Sequence, residues 1–235
     1  EIHLGPPNDV CARGGFPKTV DIKLGFSRDG FHWQRPDRRA FIASSRTPGS
    51  WDRGYVQSVG GACLVYENEL RFYYTGFAGD ESRPAEKESS QCGMYANAST
   101  GIATLRRDGF ASLEAAAHGG SVTTRPVMFS GHHLFVNVDT HYGELRAEIC
   151  DEQGHPYEHF RADKCRPVST NSCKTLVRWE TADSLAPLAG KPVRVRFHLR
   201  NGRIYSFWVS ASRSGESGGA LGAGSPDYRG HRDNG

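Results

Sequence analysis

Apolar and polar residues alternate through Val20-Asp21-Ile22-Lys23-Leu24-Gly25-Phe26, pause at Asp29-Gly30 and resume at Phe31-His32-Trp33. A period of two interrupted by Asp-Gly predicts strand, tight turn, strand, with glycine supplying a positive φ where a side chain would clash. Residues 55–66 form a longer apolar run, expected as a buried strand, and Glu67-Asn68 turns it into Leu70-Arg71-Phe72-Tyr73-Tyr74, a second hairpin. A polar loop over about residues 78–99 follows. Thr100 to Leu105 then reads as a strand leading through Asp108-Gly109 into a last strand, Phe110 to Leu113.

Arg28-Asp29-Gly30-Phe31 and Arg107-Asp108-Gly109-Phe110 repeat one tetrad, each between an apolar strand and an aromatic-led one. Internal copies of this kind signal a repeat architecture, and four strands per unit is a propeller blade. The expectation is a two-strand hairpin and then a four-strand blade over residues 20–113, with the two turns superposing. The Ala115 to Gly120 step reads as a junction. Beyond it, residues 134–138, 144–149, 176–179, 193–199 and 204–209 are short strands at the spacing of a β-sandwich. Beyond Ser210 the chain is rich in Ser, Gly and Ala, the composition of a flexible tail. The predicted organisation is all-β: propeller blades in 1–118, a sandwich in 119–210 and a tail in 211–235.

Composition supports that class. The 235 residues contain 28 Gly, 12 Pro and only two Met, with 11% aromatics, as expected of many strands joined by tight turns. No run approaches the roughly 20 apolar residues of a spanning helix, so no membrane span is expected. Lys plus Arg (29) exceeds Asp plus Glu (26) by 3, too small an excess for a nucleic-acid binder. The chain opens on Glu1-Ile2-His3, without a basic or apolar leader, so any targeting segment is expected either to have been removed or to lie outside these residues, and a fragment is one reading. Six cysteines contain no C-x-x-C pair. Their even number fits disulfides, with Cys150, Cys165 and Cys173 as the candidates because they share one short segment, and Cys63 as a free thiol. Asn97-Ala98-Ser99 is an N-glycosylation acceptor. Together these suggest a secreted protein; buried free thiols and a chance sequon are the alternative.

Residues 20–33, VDIKLGFSRDGFHW, resemble the outer strands of a blade in the five-bladed propellers of glycoside hydrolase families 32 and 43. Residues 20–209 as a whole are similar to the C-terminal half of family-32-like proteins. The resemblance is carried in order by GSWDRGYVQ (49–57), ELRFYYTGF (69–77), TGIATLRRDGF (100–110), TRPVMFSG (124–131), LFVNVD (134–139), GELRAEICDEQGHP (143–156), LVRWE (176–180) and LAGKPVRVRFHLRNGRIYSF (188–207). It implies a carbohydrate partner, a retaining hydrolysis by two carboxylates and no cofactor. The family's W-M-N-D-P-N-G, R-D-P and E-C signatures are absent from this chain: both Arg-Asp pairs precede Gly, and Glu148-Ile149-Cys150 only superficially resembles E-C. Five blades need roughly 250–300 residues, whereas about 118 precede the predicted sandwich, enough for about one and a half. The resemblance therefore implies a non-catalytic part whose remaining blades come from upstream sequence or another chain. A non-catalytic glycan-binding or structural module is the alternative.

Trp51, Asp52, Arg53, Tyr55 and Gln57 stand at the edge where the family's pockets open. They either line a glycan pocket, with Trp51 or Tyr55 as stacking platform, or close a turn and face a water-filled channel. Gly215-Glu216-Ser217-Gly218-Gly219 fits the nucleophile-elbow pattern without the strand and helix that strain it. His132-His133 and His155/His159 lack the converging partners of a zinc site. Arg194, Arg196, His198 and Arg200 alternate with apolar residues, predicting a cationic ridge on one strand face, solvated or bound to an acidic glycan.

Overall fold

The computed structural model describes residues 19–80, 95–222, 224 and 230–234, without the side chains of residues 61 and 62. It is all-β: among the described residues there are several antiparallel sheets, none of them closed, and only three single-turn 3₁₀ segments. Among the described residues no helix is long and apolar enough to cross a membrane. The chain divides into two compact units, one of residues 1–64 and 71–104, the other of 65–70 and 105–235.

In the first unit the expected opening hairpin is present but short, with β1 (Phe26–Ser27) pairing antiparallel to β2 (Trp33–Gln34). Val20 and Ile22 make only isolated bridges, to Tyr55 and Ile42. β3 (Tyr55–Tyr66), β4 (Glu69–Phe77) and β5 (Ala98–Arg106) form a three-stranded sheet in that order. Strand β3 is not buried as expected: Val56 and Val65 are, while Gln57 to Gly60 are exposed.

The fourth strand of the expected blade is elsewhere. β6 (Leu113–Ala115) pairs with the last strand of the chain, Leu113 opposite Ile204, and so belongs to a sheet of the second unit. The two R-D-G-F turns also differ, and the residue before each tetrad decides how. In the first, the Ser27 hydroxyl bonds the Asp29 carboxylate, which accepts the amides of Phe31 (2.9 Å) and His32 (2.8 Å), and Gly30 takes φ 79°. These amides hold the Asp29 carboxyl far below its usual range, the His32 amide contributing most. In the second the preceding residue is Arg106, whose side chain reaches away to Asn137, and Asp108 itself adopts φ 53°. The same four letters therefore sit in two backbone conformations.

The second unit holds two further sheets. β8 (His133–Asp139) lies between β10 (Asn171–Leu176) and β12 (Gly202–Ser210), with β6 on the far side of β12. β11 (Arg194–Arg200) lies between β7 (Gly120–Thr123) and β9 (Glu144–Cys150). Period-two patterning directs Val136 and Val138 of β8, Leu145, Ala147 and Ile149 of β9, Val195, Phe197 and Leu199 of β11 and Ile204 of β12 into one buried cluster. Phe197 meets Phe207 with ring centroids 5.2 Å apart. The β8–β9 turn needs glycine, since a Cβ at Gly143 would lie 1.9 Å from the Arg200 carbonyl oxygen.

The described residues beyond Ser210 carry hydrogen bonds: the Trp208 indole donates to the Gly215 carbonyl (3.0 Å), Gly218 to that of Asp233 (2.9 Å) and Leu221 to that of His231 (3.0 Å). One expectation, that of disulfides, needs correction here. Cys150, Cys165 and Cys173 are free thiols, as is Cys63; Cys11 and Cys92 lie outside the described residues. Closeness in sequence did not bring the sulfurs together because the strands aim them at different partners. Cys165 Sγ faces the Ala147 amide (3.3 Å) and donates to the Arg166 carbonyl, while Cys173 Sγ donates toward the Asn68 carbonyl (3.6 Å). Burial raises the pKa of Cys150, Cys165 and Cys173, which suppresses the reactive thiolate. Native alkylation at neutral pH is expected to spare these three, and denaturation without reductant to expose them to label. A requirement for reductant would show that they are bridged.

Candidate functional site

The loop before β3 places the aromatic surface. Gly49 takes φ 82°, Ser50 donates to the Thr47 carbonyl (3.1 Å) and Arg53 to that of Ser50 (3.3 Å), closing a tight turn. Ser45 and Arg46 donate to the carbonyls of Asp52 and Arg53 (3.1 and 2.9 Å), and Gly54 donates to that of Phe77 (3.3 Å), tying the turn to β4. The Trp51 indole consequently lies on the sheet over two glycines. A Cβ at Gly76 or at Gly101 would come within 2.5 Å of its six-membered ring. Glycine inside a strand commonly marks such a close approach.

Trp51 packs against Tyr74 at 5.5 Å with a 35° tilt between rings and stays 40% exposed. Asp52 accepts the Ser50 hydroxyl, and its charge joins burial, the larger cause, in raising the Tyr74 pKa. Indole, carboxylate and phenol are therefore neighbours. Arg53 is buried, and Gln57 is exposed. Tyr55 belongs to a separate cluster, with Phe77 at 5.4 Å and Tyr95 at 5.1 Å. Of the five sequence candidates, Trp51 and Asp52 thus meet in one place and Tyr55 stands in another group. Tyr74, Gly76 and Gly101 complete the Trp51 platform, and sequence reasoning missed them. Their signal was the Thr-Gly pair recurring within β4 and β5, at Thr75-Gly76 and Thr100-Gly101.

At the entrance of β5, Asn97 is exposed with φ 55°, and its Nδ2 donates to the Gly79 carbonyl (3.0 Å).

The cationic ridge forms on β11, but its charges are largely engaged. Arg194 donates to the carbonyls of Glu152 (2.8 Å) and Thr124 (3.0 Å), Arg196 pairs with the buried Glu148 (2.6 Å), and Arg200 reaches Glu144 (3.4 Å). His198 Nε2 lies 3.4 Å from Glu148. Guanidiniums already held by internal acceptors offer little to an acidic glycan. Ser217 donates to Asp233 (2.9 Å) from a loop, without flanking strand and helix. His155 pairs with Asp151 at 3.2 Å. Among the described residues no three His, Cys, Asp or Glu side chains are grouped to hold a metal ion.

Comparison with protein-family models, with curated proteins and with solved structures finds no match to this chain.

Proposed function

We propose that this chain is the non-catalytic, carbohydrate-binding part of an extracellular protein of the family-32 type. In this reading β1–β5 are the end of its propeller and the two sheets of the second unit are a β-sandwich. One observation carries the reading: a 40% exposed Trp51 indole seated close over Gly76 and Gly101, beside the Asp52 carboxylate. The face of an aromatic ring is electronegative and attracts the polarised C–H groups of a sugar ring, and a neighbouring carboxylate accepts its hydroxyls. The ordered motifs of residues 20–209 and the shared core of the two sheets support the rest. Asn97 is the proposed glycosylation site, and upstream blades, in the same or another chain, the proposed partner.

Hydrolysis with retention needs two carboxylates about 5–5.5 Å apart, and strand 55–66 contains no acid before Glu67. Asp52 alone cannot serve as both nucleophile and acid. Purified chain is expected to bind fructan or arabinan oligosaccharides in calorimetry and to release no sugar from sucrose, inulin or arabinan. Trp51→Ala is expected to weaken binding at least tenfold. Unchanged affinity in that variant, or turnover abolished by Asp52→Asn, would refute the reading.

A structural or assembly module is the second reading, and the free thiols of Cys63, Cys150, Cys165 and Cys173 favour it, since reduced cysteines suit an intracellular compartment. Absence of any glycan binding would select it.

A further inference from the structure

A second surface of the second unit carries positive charge that its own residues leave unanswered. Cys165 and Trp179 are antiparallel bridge partners, and both are buried. The next residues in register, Arg166 and Arg178, are joined by the Arg166 amide donating to the Arg178 carbonyl (2.9 Å), and both are exposed. Because strand side chains alternate between faces, the inward Cys165/Trp179 pair sets the two arginines directly opposite one another on the other face. Like charges directly opposite across a strand pair repel and destabilise it. Both line a cavity of about 210 Å³ together with Arg213, His133, Glu180 and Asp183.

No described acceptor bonds the guanidinium of Arg166, Arg178 or Arg213, whereas Arg161, Arg196, Arg200 and Arg203 of the same unit each have a carboxylate. Burial, followed by the charges of Arg213 and His132, depresses the pKa of His133, so Arg213 is felt inside the cavity. Glu180 and Asp183 line the same space without pairing to these arginines, which leaves them as acceptors for hydroxyl groups. Three guanidiniums with fixed planar donors suit an anion with several equivalent oxygens.

We infer that this cavity is the seat of a small ligand carrying a tetrahedral oxyanion together with hydroxyl groups, of the class of sugar sulfates and sugar phosphates. The inference is independent of the Trp51 platform, which lies in the other unit. An oxyanion between Arg166 and Arg178 would turn their mutual repulsion into a bridged interaction.

The test is a thermal-melting series on the full chain with inorganic sulfate, inorganic phosphate, glucose 6-sulfate, glucose 6-phosphate, glucose alone and sodium chloride at matched ionic strength. A saturable rise of roughly 3–5 °C at tenfold the dissociation constant is expected with the oxyanions, largest for the sugar-borne forms, and none with glucose or chloride. The sulfate and phosphate arms tell which oxyanion is preferred. Arg178→Gln is expected to lose the rise while melting, free of ligand, at the same or a higher temperature, because one of two opposed charges is gone. Arg194→Gln, whose guanidinium is already bonded elsewhere, is expected to keep the rise. An equal rise with chloride, a rise that survives Arg178→Gln, its loss in Arg194→Gln, or a lowered ligand-free melting point of Arg178→Gln would each overturn the inference.

Discussion

Phe197→Ala is expected to cost the second unit about 3–5 kcal/mol, seen as a fall in the urea midpoint at unchanged m-value. Phe197 is 2% exposed at the centre of β11, between β7 and β9, and its ring meets Phe207 of β12. Truncation removes apolar surface contributed to both sheets and leaves a cavity lined by Val195, Leu199 and their neighbours, which strands fixed by ladder hydrogen bonds cannot close. Phe197→Leu, which keeps most of the volume, is expected to lose less than half as much. Equal losses would mean that the ring's shape, not its bulk, holds the core.

Arg106→Ala is expected to be nearly as damaging, by about 2–4 kcal/mol, for a polar reason. Its guanidinium donates to Asn137 Oδ1 (2.6 Å), to Asn171 and to the Val138 carbonyl (2.8 Å), and lies 4.8 Å from the Tyr205 ring centroid. Asn137 is 1% exposed in the middle of β8, and its amide in turn donates to the Arg107 carbonyl (2.7 Å). Removing the guanidinium leaves the Asn137 side-chain oxygen without its donor. Asn137→Leu in the Arg106→Ala background is expected to recover part of the loss, since a buried polar atom without a partner costs more than an apolar side chain in its place. An Arg106→Ala protein as stable as the parent would show that this network contributes nothing.

The alternation rule found β8, β9, β11 and β12 nearly residue for residue because each has one face in a core, and burial leaves its period in the sequence. It placed β10 a few residues late, at Leu176 rather than Asn171, because an irregularity between Ser172 and Thr175 interrupts that period. The repeated R-D-G-F tetrad misled, since the conformation of each copy is decided by Ser27 or Arg106 outside it. The partner of β6 is nearly ninety residues further along the chain, and no local pattern announces that choice. At the candidate site, Trp51 and Asp52 were legible as an exposed aromatic and acid in a turn. The seat beneath them was not, because it is made of two glycines whose only property is the side chain they lack.

The most direct test of carbohydrate binding without hydrolysis is the indole N–H resonance of Trp51 in a spectrum of the four tryptophans, followed while fructan or arabinan oligosaccharide is added. A saturable shift is expected for Trp51, identified by the loss of its peak in Trp51→Phe, with the sugar intact at the end of the titration. A Trp51 peak that does not move while another tryptophan responds, or a sugar found cleaved, would contradict the account.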